Sequence, residues 1–299
     1  MHLYVYADIR KWFFADDYRV ACIISKLEHC LELQSAINDL VNWCELNRMF
    51  LNVDKCHVAT FNRIKNPVIF EYTMNGNQFS RFSRTNNIKD LGVFLDQDLK
   101  FSIHHETIVN TGYRNLGFIL RDTTNFNSPK TFKTLYCSLV RSSLEYASTV
   151  WSPSYLTHIN QIERIQNKFL RSLSFKDQSI EDNHNYKVIL NKYEMNTLQH
   201  RRDVFDILFI VKLIQGQIQC PELLEQLTFR FNKKGTRNND LFALKTYKTN
   251  ISRTSPLNRS MELCNIISKS PHNIDIFSES YSSIKTYLLS LYTLYSLHQ

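Results

Sequence analysis

The chain opens with short apolar runs broken by an acidic step. Lys11-Trp12-Phe13-Phe14 leads into Ala15-Asp16-Asp17, and Tyr18-Arg19-Val20-Ala21-Cys22-Ile23-Ile24 follows. Aromatic and β-branched residues on both sides of a polar turn predict a β-hairpin, with two carboxylates at the tip of two buried strands. Leu33, Ile37, Leu40, Val41 and Cys44 then recur at steps of three and four. That spacing predicts an amphipathic helix with Ser35 near its start. Leu51 to Phe61 alternates around Val53 and Val58 and reads as a returning strand. Pro67 to Tyr72 and Leu91 to Leu95 read as further short strands, with Asn75-Gly76 as a turn between them.

From about Phe101 the pattern turns helical and stays so. Ile108, Gly112, Leu116 and Ile119 form the inner face of a helix capped near Ser102. Ser128-Pro129 starts another, since serine accepts from orphan backbone donors and proline fits the first turn. Its apolar face is Phe132, Leu135, Tyr136, Leu139 and Val140. A third helix begins near Thr157 and packs Ile159, Ile162, Ile165, Phe169 and Leu173; a fourth runs from Leu198 to Ile214. Gly216 suits a left-handed cap to that fourth helix. Arg230 to Arg259 is polar and basic, with Lys233, Lys234, Arg237, Lys245, Lys248 and Arg253, and reads as surface loops. Tyr281 to Leu297 suggests a terminal helix. The expected fold class is α+β, in three parts: 1–100 mixed, 101–225 helical, and 226–299 basic loops with a last helix.

Composition narrows the classes. Of 299 residues, 43% are hydrophobic, and glycine and proline number six each, which supports a helix-rich packed protein rather than a sandwich, a collagen-like chain or a disordered one. The net charge of +8 points towards phosphate backbones or other acidic partners. Seven cysteines without a CxxC pair, in a sequence with no secretory signal, imply reduced thiols and an intracellular setting, nucleus or cytoplasm. Cys56-His57 has no second pair at zinc-finger spacing. No apolar run approaches the roughly 20 residues of a membrane span.

The Asp16-Asp17 pair is the sharpest chemical feature. Adjacent carboxylates repel and raise each other's pKa, a cost that divalent cations remove. Mg²⁺ takes hard oxygen ligands, and two such ions stabilise both oxygens of a phosphoryl transfer. The bland alternative is a solvated Asp-Asp turn. His104-His105 beside Glu106 reads as a surface pair, because adjacent helical side chains point in different directions. Arg164, Lys168 and Arg171 share one helix face, and Arg201-Arg202 opens the next long helix. Both sets suit salt-sensitive contacts to phosphates. The alternative is a solvated face paired with Glu163 and Asp203.

Phe14-Ala15-Asp16-Asp17 resembles the [Tyr/Phe]-x-Asp-Asp motif of reverse transcriptases, with Phe14 in place of the commoner tyrosine. Trp43-Cys44-Glu45-Leu46-Asn47, then Leu51-Asn52-Val53-Asp54-Lys55-Cys56, look like the helix and strand after the catalytic hairpin. Asp90-Leu91-Gly92-Val93 looks like the primer-gripping hairpin. The run Leu135 to Ala147, with Val150-Trp151-Ser152-Pro153 and Ile162-Glu163-Arg164-Ile165-Gln166, resembles the C-terminal region of non-LTR, LINE-like retrotransposon polymerases, the jockey type especially. The likeness covers about residues 12 to 260.

This resemblance implies a truncated polymerase palm followed by a helical thumb. It implies Asp16 as the main metal ligand, Asp17 as its neighbour, two Mg²⁺ ions, and Lys55 assisting the leaving pyrophosphate. Leu91 and Gly92 would form the primer-grip turn, and RNA template with DNA primer would be the partners. The family has a further metal-binding aspartate far upstream of the hairpin, and only 15 residues precede Asp16 here. The expectation is therefore a C-terminal fragment, inactive by itself, which needs a separate chain for the missing palm and fingers. A non-catalytic nucleic-acid-binding remnant and a helical interaction scaffold are the alternatives.

Overall fold

The computed structural model describes residues 9–14, 17–52, 55–62, 66–74, 83–123, 128–177, 185–230, 240–245, 249–269 and 271–291. Asp16, the Asn75-Gly76 turn, and Lys233, Lys234, Arg237 and Lys248 of the basic stretch lie outside them. The fold is α+β, and the chain divides into two compact units, Met1–Lys100 and Phe101–Gln299.

In the first unit, strands β1 (Arg10–Phe14) and β2 (Asp17–Ala21) pair antiparallel, with Phe14 opposite Asp17. The expected hairpin is there, but its strands are not buried. β1 is exposed along its whole length, Phe13 to 72%. Helix α1 (Leu27–Leu46) follows. It starts well before Ser35, and Lys26 at its N-cap makes no side-chain cap bond. Cys30, Ala36, Ile37, Val41 and Cys44 are its buried stripe. The returning strand shrinks to β3 (His57–Ala59), which pairs in parallel with β4 (Ser83–Thr85). Pro67 to Tyr72 forms no strand; instead Gln34 on α1 clamps the backbone of Thr73, donating to its carbonyl at 2.8 Å and accepting from its N–H at 2.9 Å. β5 (Asn87–Asp90) and β6 (Val93–Asp96) make a second antiparallel hairpin. Among the described residues the strands form three separate two-stranded sheets, not one continuous palm-like sheet.

The second unit is helical. Helix α2 (Ser102–Asp122) buries Ile108, Gly112, Leu116 and Ile119. A Cβ on Gly112 would lie 2.9 Å from Ile165 Cδ1 and 3.0 Å from Leu144 Cδ2. Glycine therefore lets α2 approach the following helices closely. Helix α3 (Pro129–Leu135) starts at Ser128, whose hydroxyl accepts from the Thr131 N–H. It continues through a π-helical turn, Tyr136–Arg141, into the short helix α4 (Ser142–Glu145). A row at steps of four drifts about 40° per step on an α-helix of 3.6 residues per turn. The wider π turn takes that drift back, so Phe132, Tyr136, Val140 and Leu144 all stay buried. Leu139, expected inside, is exposed for the same reason.

After α5 (Ser148–Trp151), helix α6 (Leu156–Lys176) buries Ile162, Ile165, Phe169, Leu170 and Leu173. Tyr136 stacks on Phe169 with ring centres 3.9 Å apart. Helix α7 (Tyr186–Lys192) was not foreseen from the pattern. Helix α8 (Leu198–Ile214) is capped by the Thr197 hydroxyl and ends before Gly216, whose φ of +70° is the left-handed conformation glycine tolerates best.

The region from residue 226 on is not a separate layer of loops. After α9 (Pro221–Leu224) and α10 (Asn250–Arg253), helix α11 (Pro256–Ile267) packs Met261, Leu263, Cys264 and Ile267 against Val204, Ile207, Ile210 and Val211 of α8. Helix α12 (Tyr281–Ser290) adds Ile284 and Leu288 to the same core. Among the described residues no helix is long and apolar enough to cross a membrane.

Candidate nucleic-acid interface

In the first unit, the two hairpins singled out by the sequence meet through one cation. The Arg19 guanidinium on β2 lies 3.5 Å from the Asp17 carboxylate and also pairs with Asp90 at the end of β5. Asp17 remains 66% exposed. Among the described residues no group of three His, Cys, Asp or Glu side chains is placed to hold a metal ion. The described part of the tip supplies one carboxylate, Asp17, which faces the Arg19 cation. Lys55 is exposed, and its backbone N–H donates to the Asn52 carbonyl at 3.1 Å.

Asp90 stands opposite Val93, so Leu91 and Gly92 form a two-residue hairpin turn. Both have positive φ, 43° for Leu91 and 87° for Gly92. Such a turn matches the twist of antiparallel strands, and glycine enters it without cost. Leucine does not: the left-handed conformation costs an L-residue roughly 1–2 kcal/mol. Leu91 accepts that cost while nearly half exposed.

In the second unit, Arg164, Lys168 and Arg171 are all exposed on α6. Lys168 Nζ sits 5.7 Å from the centre of the Tyr113 ring, and Arg171 donates to the Tyr186 hydroxyl at 3.1 Å. At 1.5 Å rise per residue the row spans about 10 Å, over which one duplex strand presents about three phosphates.

The other two arginines are placed differently. Arg201 makes a two-pronged pair with Glu145, with its Nη2 2.9 Å from Oε2. Arg202 is fully buried: it donates to Gln199 at 3.0 Å, lies 4.0 Å from Glu163, and its Nε and Nη1 find no hydrogen-bond partner among the described residues. Neither guanidinium is open to a phosphate. The expectation for Arg201 and Arg202 is corrected accordingly: α8 is a central helix, and its first turn faces α4 and α6 rather than solvent.

His104 and His105 are also inside, not on the surface. Both rings meet Trp151 edge-on, with centres 5.0 and 5.7 Å away, and His105 Nε2 lies 3.1 Å from the Trp151 carbonyl. Burial pushes both imidazoles down to about 4. Nearby, Asp206 is fully buried and accepts from Arg259 Nε at 2.6 Å and Nη2 at 3.3 Å. Arg259 also donates to the Thr149 and Thr254 carbonyls, both at 2.8 Å. Burial, then the charge of Asp206, pushes Asp203 up to about 7.

With this geometry in place, one comparison is informative. The chain is 29% identical over 170 aligned residues to the RNA-directed DNA polymerase from mobile element jockey of Drosophila funebris. The chain is similar to a retroelement polymerase. The match covers 54% of this chain and 18% of that polymerase, so this chain corresponds to a minor part of its relative's length. No protein-family model and no solved structure matches.

Proposed function

We propose that the chain is a C-terminal portion of a non-LTR retrotransposon reverse transcriptase and that its helical unit holds a template–primer duplex. The observation that carries this reading is the likeness to the jockey polymerase, which gives the exposed row of Arg164, Lys168 and Arg171 a polyanion to face. Contacts of this kind are independent of sequence and weaken steeply with salt. In the first unit the proposal assigns the strained Leu91-Gly92 turn to the primer strand and the metal-ligand role to Asp16 and Asp17.

The test is a fluorescence anisotropy titration of an RNA–DNA hybrid at several salt concentrations, with the full chain and with Arg164→Ala/Lys168→Ala/Arg171→Ala. All three positions are exposed, so the variant should keep its helical circular dichroism. The full chain is expected to bind with a steep salt dependence. Each phosphate left without its cation removes roughly 0.9 from the logarithmic slope, so the triple variant should fall short by about 2 to 3. No binding at low salt, or an unchanged slope in the variant, defeats the proposal.

A further inference from the structure

A cleft of about 700 Å³ opens between α6, α7 and the start of α8, lined by Glu163, Asn167, Asn185, Tyr186, Lys187 and Gln199 among others. Its chemistry differs from that of the basic row beside it. Asn167 is half-buried, and its amide has no hydrogen-bond partner among the described residues. The Glu163 carboxylate accepts from the Gln199 backbone N–H at 2.6 Å and keeps 18% of its side-chain surface open. Burial holds its pKa above the usual carboxylate range. Tyr186 adds an aromatic side chain to the lining, its hydroxyl accepting from Arg171 at 3.1 Å.

Such a set suits a flat group with polar edges. An amide supplies both a donor and acceptors, a carboxylate accepts from exocyclic amino groups, and an aromatic face stacks. Unpaired bases are recognised in this way, by stacking on aromatic rings and hydrogen bonds along their edges. The position of the cleft points the same way. At 100° per residue, Asn167, Arg171, Arg164 and Lys168 follow Glu163 round α6 within about 140°. Cleft and cations are thus one continuous surface, and a nucleotide whose base enters the cleft carries its phosphate over the neighbouring row.

We infer that this cleft takes an unpaired base from a single-stranded extension of the bound nucleic acid. The inference rests on the proposed nucleic-acid reading and adds a second, base-directed subsite to it.

The experiment compares a blunt RNA–DNA hybrid with the same hybrid carrying a short single-stranded extension, using the full chain, Tyr186→Ala and Tyr186→Phe. The full chain should bind the extended hybrid about tenfold more tightly, the lower range of what one stacked base contributes. Tyr186→Ala should erase that preference and leave the blunt hybrid unaffected. Tyr186→Phe, which keeps the ring, should retain it. Equal affinity of the full chain for the two hybrids overturns the inference while leaving duplex binding intact. A preference that survives in Tyr186→Ala overturns it as well. Binding of the extended hybrid alone supports the cleft and defeats the duplex reading, whereas binding of neither defeats both.

Discussion

Residues 101–299 bury the apolar faces of their helices against one another, while residues 1–100 leave much of their aromatic surface outside. In the helical unit a single cluster joins α8, α11 and α12 through Val204, Ile207, Ile210, Leu263, Ile267, Ile284 and Leu288. In the first unit the corresponding cluster is Cys30, Ile37 and Tyr72, with Val20, Ile24, Leu33, Val58 and Phe70 beside it. Trp12, Phe13, Phe14 and Phe50 are exposed. A helix satisfies its own backbone and needs only one face covered, whereas a two-stranded sheet presents unpaired edges on both sides and is marginal by itself. The contrast therefore follows from how each kind of element meets its hydrogen-bonding needs. It predicts that stability resides in the second unit.

The strongest way to break that comparison is to disturb the buried Asp206–Arg259 pair. Asp206→Ala leaves the largely covered Arg259 guanidinium with the Thr149 and Thr254 carbonyls but without its carboxylate, and should cost about 3 kcal/mol in chemical denaturation. A loss below about 1 kcal/mol would mean that the pair is not the internal tie it resembles.

Gly112→Val comes next. Its branched side chain would meet Ile165 and Leu144, and overpacking of this kind costs about 1–3 kcal/mol. An unchanged melting temperature would show that the helices are not in close approach there.

Titration sharpens the picture further. Asp203 holds its proton up to about 7 in the folded chain, whereas an unfolded aspartate releases it near 3.9. Its contribution is complete below the unfolded value and drains away as pH rises towards 7. His104 and His105 act in the opposite sense: they stay neutral down to about 4 when folded, so their contribution is present above 6.5 and is lost as pH falls towards 4. Asp203→Asn removes the opposing slope. Its stability should climb more steeply than that of the unaltered chain between pH 4.5 and 7, by about 3 kcal/mol. Parallel pH profiles for the two proteins would count against the buried carboxyl.

The smallest effect belongs to the first unit. Phe13→Ser on the exposed strand should change stability by less than about 0.5 kcal/mol. A larger loss would mean that the hairpin is covered after all.

Legibility in the sequence tracked how local the cause was. Helices α3 and α8 could be read because each pairs a clear period with a local start or stop, Ser128-Pro129 for α3 and Gly216 for α8. Helices α2 and α6 could be read from their period alone: neither has a side-chain cap, and Phe101 rather than Ser102 stands at the N-cap of α2. Helix α1 has no side-chain cap either, and nothing local marks its start ahead of Ser35. Helix α11 was hidden inside a stretch that reads as basic and polar, although Pro256 at its first turn and the Met261, Leu263, Cys264, Ile267 stripe were visible. The site residues divided similarly. The Leu91-Gly92 turn came from the family resemblance; the local pattern reads Leu91 to Leu95 as one strand, whereas β6 begins only at Val93. The burial of Arg202, His104 and His105 depends on Gln199, Glu163 and Trp151, and the Trp151 contact to His105 spans 46 residues. A local pattern carries no record of which distant element will cover a charged or imidazole side chain.

The π turn at Tyr136–Arg141 sets a frame for everything that follows it. Such a turn amounts to one residue more than an α-helix would accommodate. Removing a single position there, Leu139 for instance, would let the turn close into an ordinary α-helix, with Phe132, Tyr136, Val140 and Leu144 at steps of four, three and four and so within about 60° of one another. A second deletion has no spare residue to absorb it and would swing Val140 and Leu144 about 100° round the axis. The π turn thus makes the chain tolerant of losing one residue at this point and intolerant of losing two.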